Sequence, residues 1–293
     1  MSYTSASVIS PLLQELFHGL FIIDFAKCTQ LSALMIVLYD YAITFEQEMS
    51  YLWKTRFNFV KVLFLLNRYY ILISAIVIIC LLNAAQLSTL SCVHYMLWQI
   101  WSIIVTSTLT QAILQARLYG LYSKNKKILA IMIPLYVLSI IAAVVLVVKS
   151  TGEVTAAHEI IAFPINRGHY CIVTSIPRFS LAYWIPGFAF ELLLCALAIK
   201  KAFGHFKLYG SYYTTGVRIV DVLVGDSIVY FLVIAMVYVS CIAIWIADLE
   251  RIDTPLGFEL TISSTLCSRM VFNMHGALDK RDINQTIDSD ETD

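Results

Sequence analysis

Charge is what this chain of 293 residues has least of: Asp, Glu, Lys and Arg make up 14% of it, against ~25% in soluble domains. That shortage excludes an ordinary water-facing surface. Other absences narrow the chemistry. His18, His94, His158, His169, His205 and His275 fall in loops or at helix ends, and no two share metal-ligand spacing on a helix, so a zinc-dependent hydrolase has no support. There is no glycine-rich phosphate loop and no G-x-S-x-G elbow. The last apolar stretch holds no lysine, which removes a retinal Schiff base. No cofactor, no metal and no enzymatic activity are therefore expected. The internal repeats that mark many transporters are not visible. The first fifteen residues lack a basic start and a compact apolar core, so no cleaved signal peptide is expected and the first span is read as its own insertion signal.

What the chain has in excess is apolar side chains, 59% of residues with a mean hydropathy of +0.77. An integral membrane protein of all-α class follows. A bilayer core of ~30 Å takes about 20 apolar residues per helix. That ruler yields seven stretches: Cys28 to Phe45, Val62 to Leu82, Val93 to Ala116, Ile128 to Val148, Phe179 to Ile199, Val222 to Ile246 and Leu256 to Met274. The expected organisation is an N-terminal segment over residues 1–27, a seven-transmembrane helix bundle over 28–274, and a short acidic tail over 275–293. Pro11 to Phe25 reads as an amphipathic approach to the membrane, with a longer, tilted first helix as its alternative. The tail ends IDSDETD, a composition of disorder.

Basic residues orient the bundle, because cytoplasmic loops carry excess Lys and Arg. Lys54, Arg56, Lys61, Arg117, Lys124, Lys126, Lys127, Lys200, Lys201, Lys207, Arg218, Lys280 and Arg281 lie on one side; Lys27, Lys149, Arg167, Arg178 and Arg251 lie on the other. The N-terminus is accordingly expected outside and the C-terminus in the cytosol, in a multi-pass protein of the plasma membrane. The acceptor triplet at Asn284 then faces the cytosol and stays unglycosylated. Trp98, Trp101, Trp184 and Trp245 near outer helix ends and Trp53 near the inner face read as interfacial anchors.

Of seven cysteines, Cys80, Cys195, Cys241 and Cys267 read as small buried side chains and Cys28 sits at an outer helix end. Cys92, just before the third helix, and Cys171, in the long outer loop Lys149 to Arg178, share an oxidising compartment and are expected to be bridged, against the alternative of two free thiols. In the third helix Ser107, Gln111 and Gln115 recur every four residues and share a face, with Thr106 and Thr110 beside them. Polar stripes in hydrocarbon face other helices, so this helix is expected at the centre of the bundle, its stripe acting as glue more than as a ligand groove. The fourth helix, apolar around Pro134 and Ser139, is expected to face lipid. Ser264 and Ser268 in the seventh form a small-xxx-small pair suited to close packing.

The spans also contain Asp40, Arg68, Glu191, Asp226 and Arg269. Each costs ~2.5–3.5 kcal/mol on insertion scales. Measured from the predicted inner helix ends, all five fall at a similar depth in the cytoplasmic half, the pattern of one shared layer rather than scattered tolerance. Arg68 is expected to pair with Asp40 on the neighbouring helix, and Arg269 with Glu191 or Asp226. Snorkelling of Arg68 to the inner headgroups and solvation of Asp226 are the competing readings.

The stretch LYDYAITFEQEMSYLWKTRFNFVKVLFLLNRYY resembles the signature of a fungal, mainly basidiomycete, family of membrane proteins labelled domain of unknown function 6533. RLYGLY from Arg117 to Tyr122, Cys171, the YWIP…FE element ending at Glu191, the D…YFLV element of helix six and SRMVFN around Arg269 extend the resemblance along the chain. It implies a seven-helix fold and no assigned activity. Three function classes stay open. Receptor-like signalling fits the architecture, although helix six has no proline and helix seven no N-P-x-x-Y. A transporter or proton-coupled carrier fits the intramembrane carboxylates. A structural membrane protein, whose charges only fix helix register, fits as well. The expected partners are the lipid bilayer, a small-molecule ligand and a cytosolic signalling partner at the basic inner loops; nucleic acid is not among them.

Overall fold

The computed structural model describes the backbone of residues 3–52, 58–82, 89–122, 124–165, 168–173, 175, 177–208, 215–247 and 253–290, with side chains described for most of 21–50, 58–81, 89–160 and 177–201, and for 229–247 and 255–273. These residues form seven long helices: α1 (Tyr3–Gln47), α2 (Phe59–Leu82), α3 (Thr89–Leu121), α4 (Lys126–Ala156), α5 (Trp184–Leu208), α6 (Thr215–Ala247) and α7 (Asp253–Asp290). Between α4 and α5 the chain makes an antiparallel hairpin, β1 (Ile160–Ile165) and β2 (Gly168–Val173), then a 3-10 turn over Arg178–Tyr183. Among the described residues, six helical segments are long and apolar enough to cross a membrane: Asp24–Ser50, Phe59–Leu81, Thr89–Leu121, Lys126–Ala156, Arg178–Lys201 and Val229–Ala247. α7 is not among them; it carries Glu259 and Arg269, and its backbone stays helical to Asp290 through the acidic residues whose composition reads as disorder.

Consecutive helices pack side by side, and α7 closes the ring onto α1. α3 runs through the middle, touching α2, α4, α5 and α7. Its polar residues explain that position, because a hydroxyl or amide in an apolar bundle is stable only against another polar group. Ser74 donates to Ser102 at 2.7 Å and Tyr70 to the same oxygen at 3.3 Å, joining α2 to α3. Tyr136 of α4 donates to the Thr108 carbonyl at 2.9 Å, and Tyr122, in the turn just past α3, donates to the Leu197 carbonyl of α5 at 2.8 Å. α4 lies at the periphery: Ile131, Leu138, Ile141 and Val148 are each more than half exposed, as expected of a lipid-facing apolar helix. α1 continues past the apolar stretch that ends at Phe45, widening into a π turn over Glu48–Leu52. That extension brings Glu48 into the bundle, where it is fully buried.

A disulfide between Cys92, at the start of α3, and Cys171, in β2, ties the hairpin to the bundle with Cα atoms 5.3 Å apart. It defines a hairpin end, formed by the start of α3, α5 and α7 and the end of α4 and α6. At the opposite end lie the end of α1 and the start of α2.

Candidate functional site

Three polar assemblies lie inside the bundle. The first is an ion cluster near the end of α1. Arg68, 4% exposed, reaches from α2 to two carboxylates of α1: its Nε is 2.8 Å from Glu48 Oε2, and its Nη1 is 3.8 Å from Asp40 Oδ2. The Nε contact is one of charges and lacks hydrogen-bond alignment, since neither atom has a hydrogen-bond partner despite the short separation. Nη2 supplies the aligned bonds, donating to Thr44 Oγ1 at 2.7 Å and to the Tyr41 carbonyl at 3.3 Å. The guanidinium also sits over the Tyr41 ring, 4.6 Å from its centroid, a cation–π contact that replaces part of its lost hydration. Tyr69 donates to Glu48 Oε1 at 2.9 Å and receives the Tyr41 hydroxyl at 3.4 Å. From α7, Arg269 Nε donates to Asp40 Oδ1 at 2.8 Å. Among the described contacts, two guanidiniums thus face two carboxylates and their formal charges balance.

This arrangement keeps one expected pairing and replaces another. Arg68 does reach Asp40, but Glu48 is its closer partner. Arg269 is held by Asp40 and not by Glu191, because α7 packs against α1 where the ring closes and Glu191 lies elsewhere. Asp226 falls in 202–228, whose side chains are outside the described residues. The five residues therefore do not form one layer: Asp40, Arg68 and Arg269 come together, and Glu191 does not join them. Arg269 is half exposed, opening onto a groove of about 480 Å³ between α1, α6 and α7 walled by Met35, Tyr39, Val233 and Leu266. Beside the cluster Asn67 donates to Ser264 Oγ at 3.1 Å, so Ser264 serves as an acceptor as well as a small residue.

The second assembly is the stripe of α3. Ser107 Oγ is 3.4 Å from Glu259 Oε1 of α7, and one turn along, Gln111 bonds the carboxylate of Glu191 on α5. The two carboxylates are close enough to repel one another, and Tyr238 of α6 lies within electrostatic range of both. Glu259 Oε2, Gln115 Nε2 and the hydroxyls of Thr106 and Thr110 are buried without hydrogen-bond partners. The stripe thus receives two acidic groups from neighbouring helices in addition to joining helices. Glu259 lies inside the stretch Leu256 to Met274, so its charge was legible in the sequence, yet it is absent from the five intramembrane charges named there.

The third is a cavity of about 90 Å³ at the hairpin end, walled by α3, α4, the 3-10 turn and the facing ends of α5, α6 and α7. Trp184 and Trp245 stand edge to face, 5.9 Å between centroids, with Tyr183 packed edge-on against Trp184 at 5.2 Å. Trp184 is 1% exposed and is an interior side chain, a correction to its reading as an interfacial anchor; Trp245 is partly buried, Trp98 and Trp101 are exposed as anchors are, and Trp53 lies outside the described residues. Gln99 borders the cavity with both amide atoms unpartnered, as are the indole nitrogens of Trp184 and Trp245. Each such group forfeits ~1–3 kcal/mol if nothing answers it. Gln99 was legible too: the four-residue rhythm of 107, 111 and 115 runs back through 103 to 99.

The ion cluster is also where the chain meets known sequences. Residues 28–73 match the model of a family of unknown function, DUF6533. The DUF6533 match holds Asp40, Tyr41, Thr44, Glu48, Arg68 and Tyr69, the α1 and α2 members of the cluster, so the matched segment is a contacting pair of helices. No curated protein and no solved structure matches the chain. Among the described residues no group of His, Cys, Asp and Glu is arranged to hold a metal ion.

Proposed function

We propose that this chain is a seven-span receptor-like protein of the fungal plasma membrane, N-terminus outside, which takes a small molecule at the hairpin end and signals through the ion cluster at the other. α7 serves as the seventh span in this reading. Its polarity is compatible with crossing because it packs on α1, α2, α3 and α6, and polar residues are tolerated in a span that faces protein. The excess of Lys and Arg in the loops of the opposite end supports reading the hairpin end as the outer one. The observation that carries the reading is the pairing of a hairpin-capped cavity with a balanced charge cluster, the two joined through α7, which contributes Leu256 to the first and Arg269 to the second. The Arg269–Asp40 bond holds α7 against α1, as a lock would, and a ligand biases it only by preferring one arrangement of α7. The test is proximity labelling of cytosolic proteins by the chain in cells. Arg269→Gln should raise labelling of a G-protein α subunit several-fold over the wild type; unchanged labelling counts against the lock.

The buried carboxylates Glu191 and Glu259 favour a second reading, a proton-coupled carrier, since intramembrane carboxylates relay protons in pumps and transporters. Proteoliposomes loaded with a pH-sensitive dye separate the two: proton flux driven by a membrane potential, abolished by Glu259→Gln, supports the carrier and removes the receptor reading.

A further inference from the structure

The ion cluster opens sideways onto the bilayer. We infer that the groove between α1, α6 and α7 binds one anionic phospholipid of the leaflet at the ion-cluster end, its phosphate on Arg269 and an acyl chain along the apolar wall. The inference rests on the receptor reading only in taking α7 as a span; binding itself does not require signalling.

Arg269 supplies the recognition. Its guanidinium offers a planar fork of N–H donors, of which Nε is given to Asp40 Oδ1 at 2.8 Å. The side chain is nevertheless 52% exposed and borders the groove, whereas that of Asp40 is 6% exposed. The ion pair is therefore oriented, carboxylate inward and guanidinium outward, and the groove meets its positive end. Arg269 lies five residues inside the predicted inner end at Met274, about 7 Å at the helical rise. A half-exposed guanidinium at that depth is costly unless something answers it, and a headgroup at the surface is within reach of a snorkelling arginine. Phosphate matches the fork with paired N–H bonds, and anionic phospholipids are concentrated in the cytoplasmic leaflet.

The walls fit the rest of the lipid. α1 and α6 each pack against α7 and flank it. Ile262, Leu266 and Arg269 recur at helical spacing and border the groove together. Met35 and Tyr39 border it from α1 and are 62% and 65% exposed. Along α1 and α7, which both run toward the ion-cluster end, these apolar residues precede Asp40 and Arg269, so the apolar wall extends from the charge toward the middle of the bilayer. That is the polarity order of a lipid in its leaflet, head at the surface and chain inward. Size agrees: where a cavity of ~150 Å³ takes benzene, about 480 Å³ takes roughly nineteen carbons, the bulk of one acyl chain.

The test is native mass spectrometry of the purified full chain in detergent, titrated with dioleoyl phosphatidylserine or dioleoyl phosphatidylcholine. One phosphatidylserine should be retained at a concentration at least tenfold below that needed for phosphatidylcholine. Arg269→Gln should cut that preference to less than twofold, and Arg269→Lys, which keeps the charge and loses the fork, should preserve part of it. Ile262→Trp, filling the groove from α7, should abolish retention with Arg269 and Asp40 intact, which covers the case of an Arg269 variant that fails to fold. Lys126→Gln, at the same end but on α4, should change nothing. Equal retention of the two lipids, a preference untouched by Arg269→Gln or Ile262→Trp, an equal loss in Lys126→Gln, or oleate retained ahead of phosphatidylserine overturns the inference. A retained phosphatidylserine with G-protein labelling unchanged in Arg269→Gln would remove the receptor lock and leave the site standing; raised labelling without a retained lipid would do the reverse.

Discussion

Replacing Arg68 by Leu tests the ion cluster at its most buried point. The guanidinium is 4% exposed and its nearest acid, Glu48, is fully buried. At an effective dielectric of ~20 the gross attraction is about 6 kcal/mol at the 2.8 Å contact to Glu48 and about 4 kcal/mol at the 3.8 Å contact to Asp40, before desolvation is subtracted. Arg68→Leu leaves Glu48 with the Tyr69 hydroxyl as its hydrogen-bond donor among the described contacts, and stranding a buried charge costs about 3–5 kcal/mol. The second substitution then decides which pairing matters. Arg68→Leu with Glu48→Leu leaves Asp40 and Arg269 in contact at 2.8 Å, a balanced remainder, so at least half of the loss should return. Arg68→Leu with Asp40→Leu also balances the formal charge, but the remaining Glu48 and Arg269 belonged to different pairs, and less should return. The assay is the unfolding free energy in mixed micelles titrated with a denaturing detergent, checked by the folded fraction on size exclusion. The expected coupling of Arg68 with Glu48 is at least ~2 kcal/mol, well beyond the ~0.5 kcal/mol within which independent sites add. Additive losses, or better rescue by Asp40→Leu, would refute this account of the cluster.

Three further outcomes follow from the same geometry. Cys92→Ser should lower stability by roughly 2–4 kcal/mol, since the bridge closes a loop with a sequence separation of 79, and alkylation with mass analysis should find Cys92 and Cys171 protected until reductant is added. Glu191→Gln should be nearly neutral in thermal melts because an amide can still meet Gln111, whereas Glu191→Leu should cost about 1–3 kcal/mol by leaving Gln111 unanswered. At Gly257 of α7 an added Cβ would lie 2.5 Å from Gln30 Oε1 of α1, the far end of a flexible side chain that can swing aside, and Ala gains about 1 kcal/mol of helix propensity over Gly, so Gly257→Ala should change stability by less than about 1 kcal/mol in a thermal melt.

The Asp40–Arg68 contact was legible because α1 and α2 are consecutive, joined by a short connection, and carry opposite charges near their shared end. The partner of Arg269 was not, since ring closure between α7 and α1 is a property of the whole bundle that no local pattern encodes. Glu48 escaped for a different reason: a hydropathy ruler ends the first span at Phe45, whereas the chain continues as a π turn that carries Glu48 inward. The stripe of α3 announced a central helix by its period, and its length was underestimated because Ile103 interrupts the polar run between Gln99 and Ser107. The cavity was invisible in the sequence, being assembled from five helix ends and the 3-10 turn; the same assembly draws Trp184 into the interior, although its position near a span end is that of an interfacial anchor.

The claim that the Arg269–Asp40 bond is a releasable tie between α7 and α1 is tested most directly by a distance. Spin labels at Phe45→Cys, on an exposed position of α1, and Gly276→Cys, where an added side-chain carbon meets nothing within 4 Å, report the separation of the two helices by pulsed electron resonance in a background with the exposed Cys28 and Cys80 replaced by Ser. The account predicts one narrow distance distribution in the wild type and a second, longer population in Arg269→Gln. An identical narrow distribution in both proteins would contradict it.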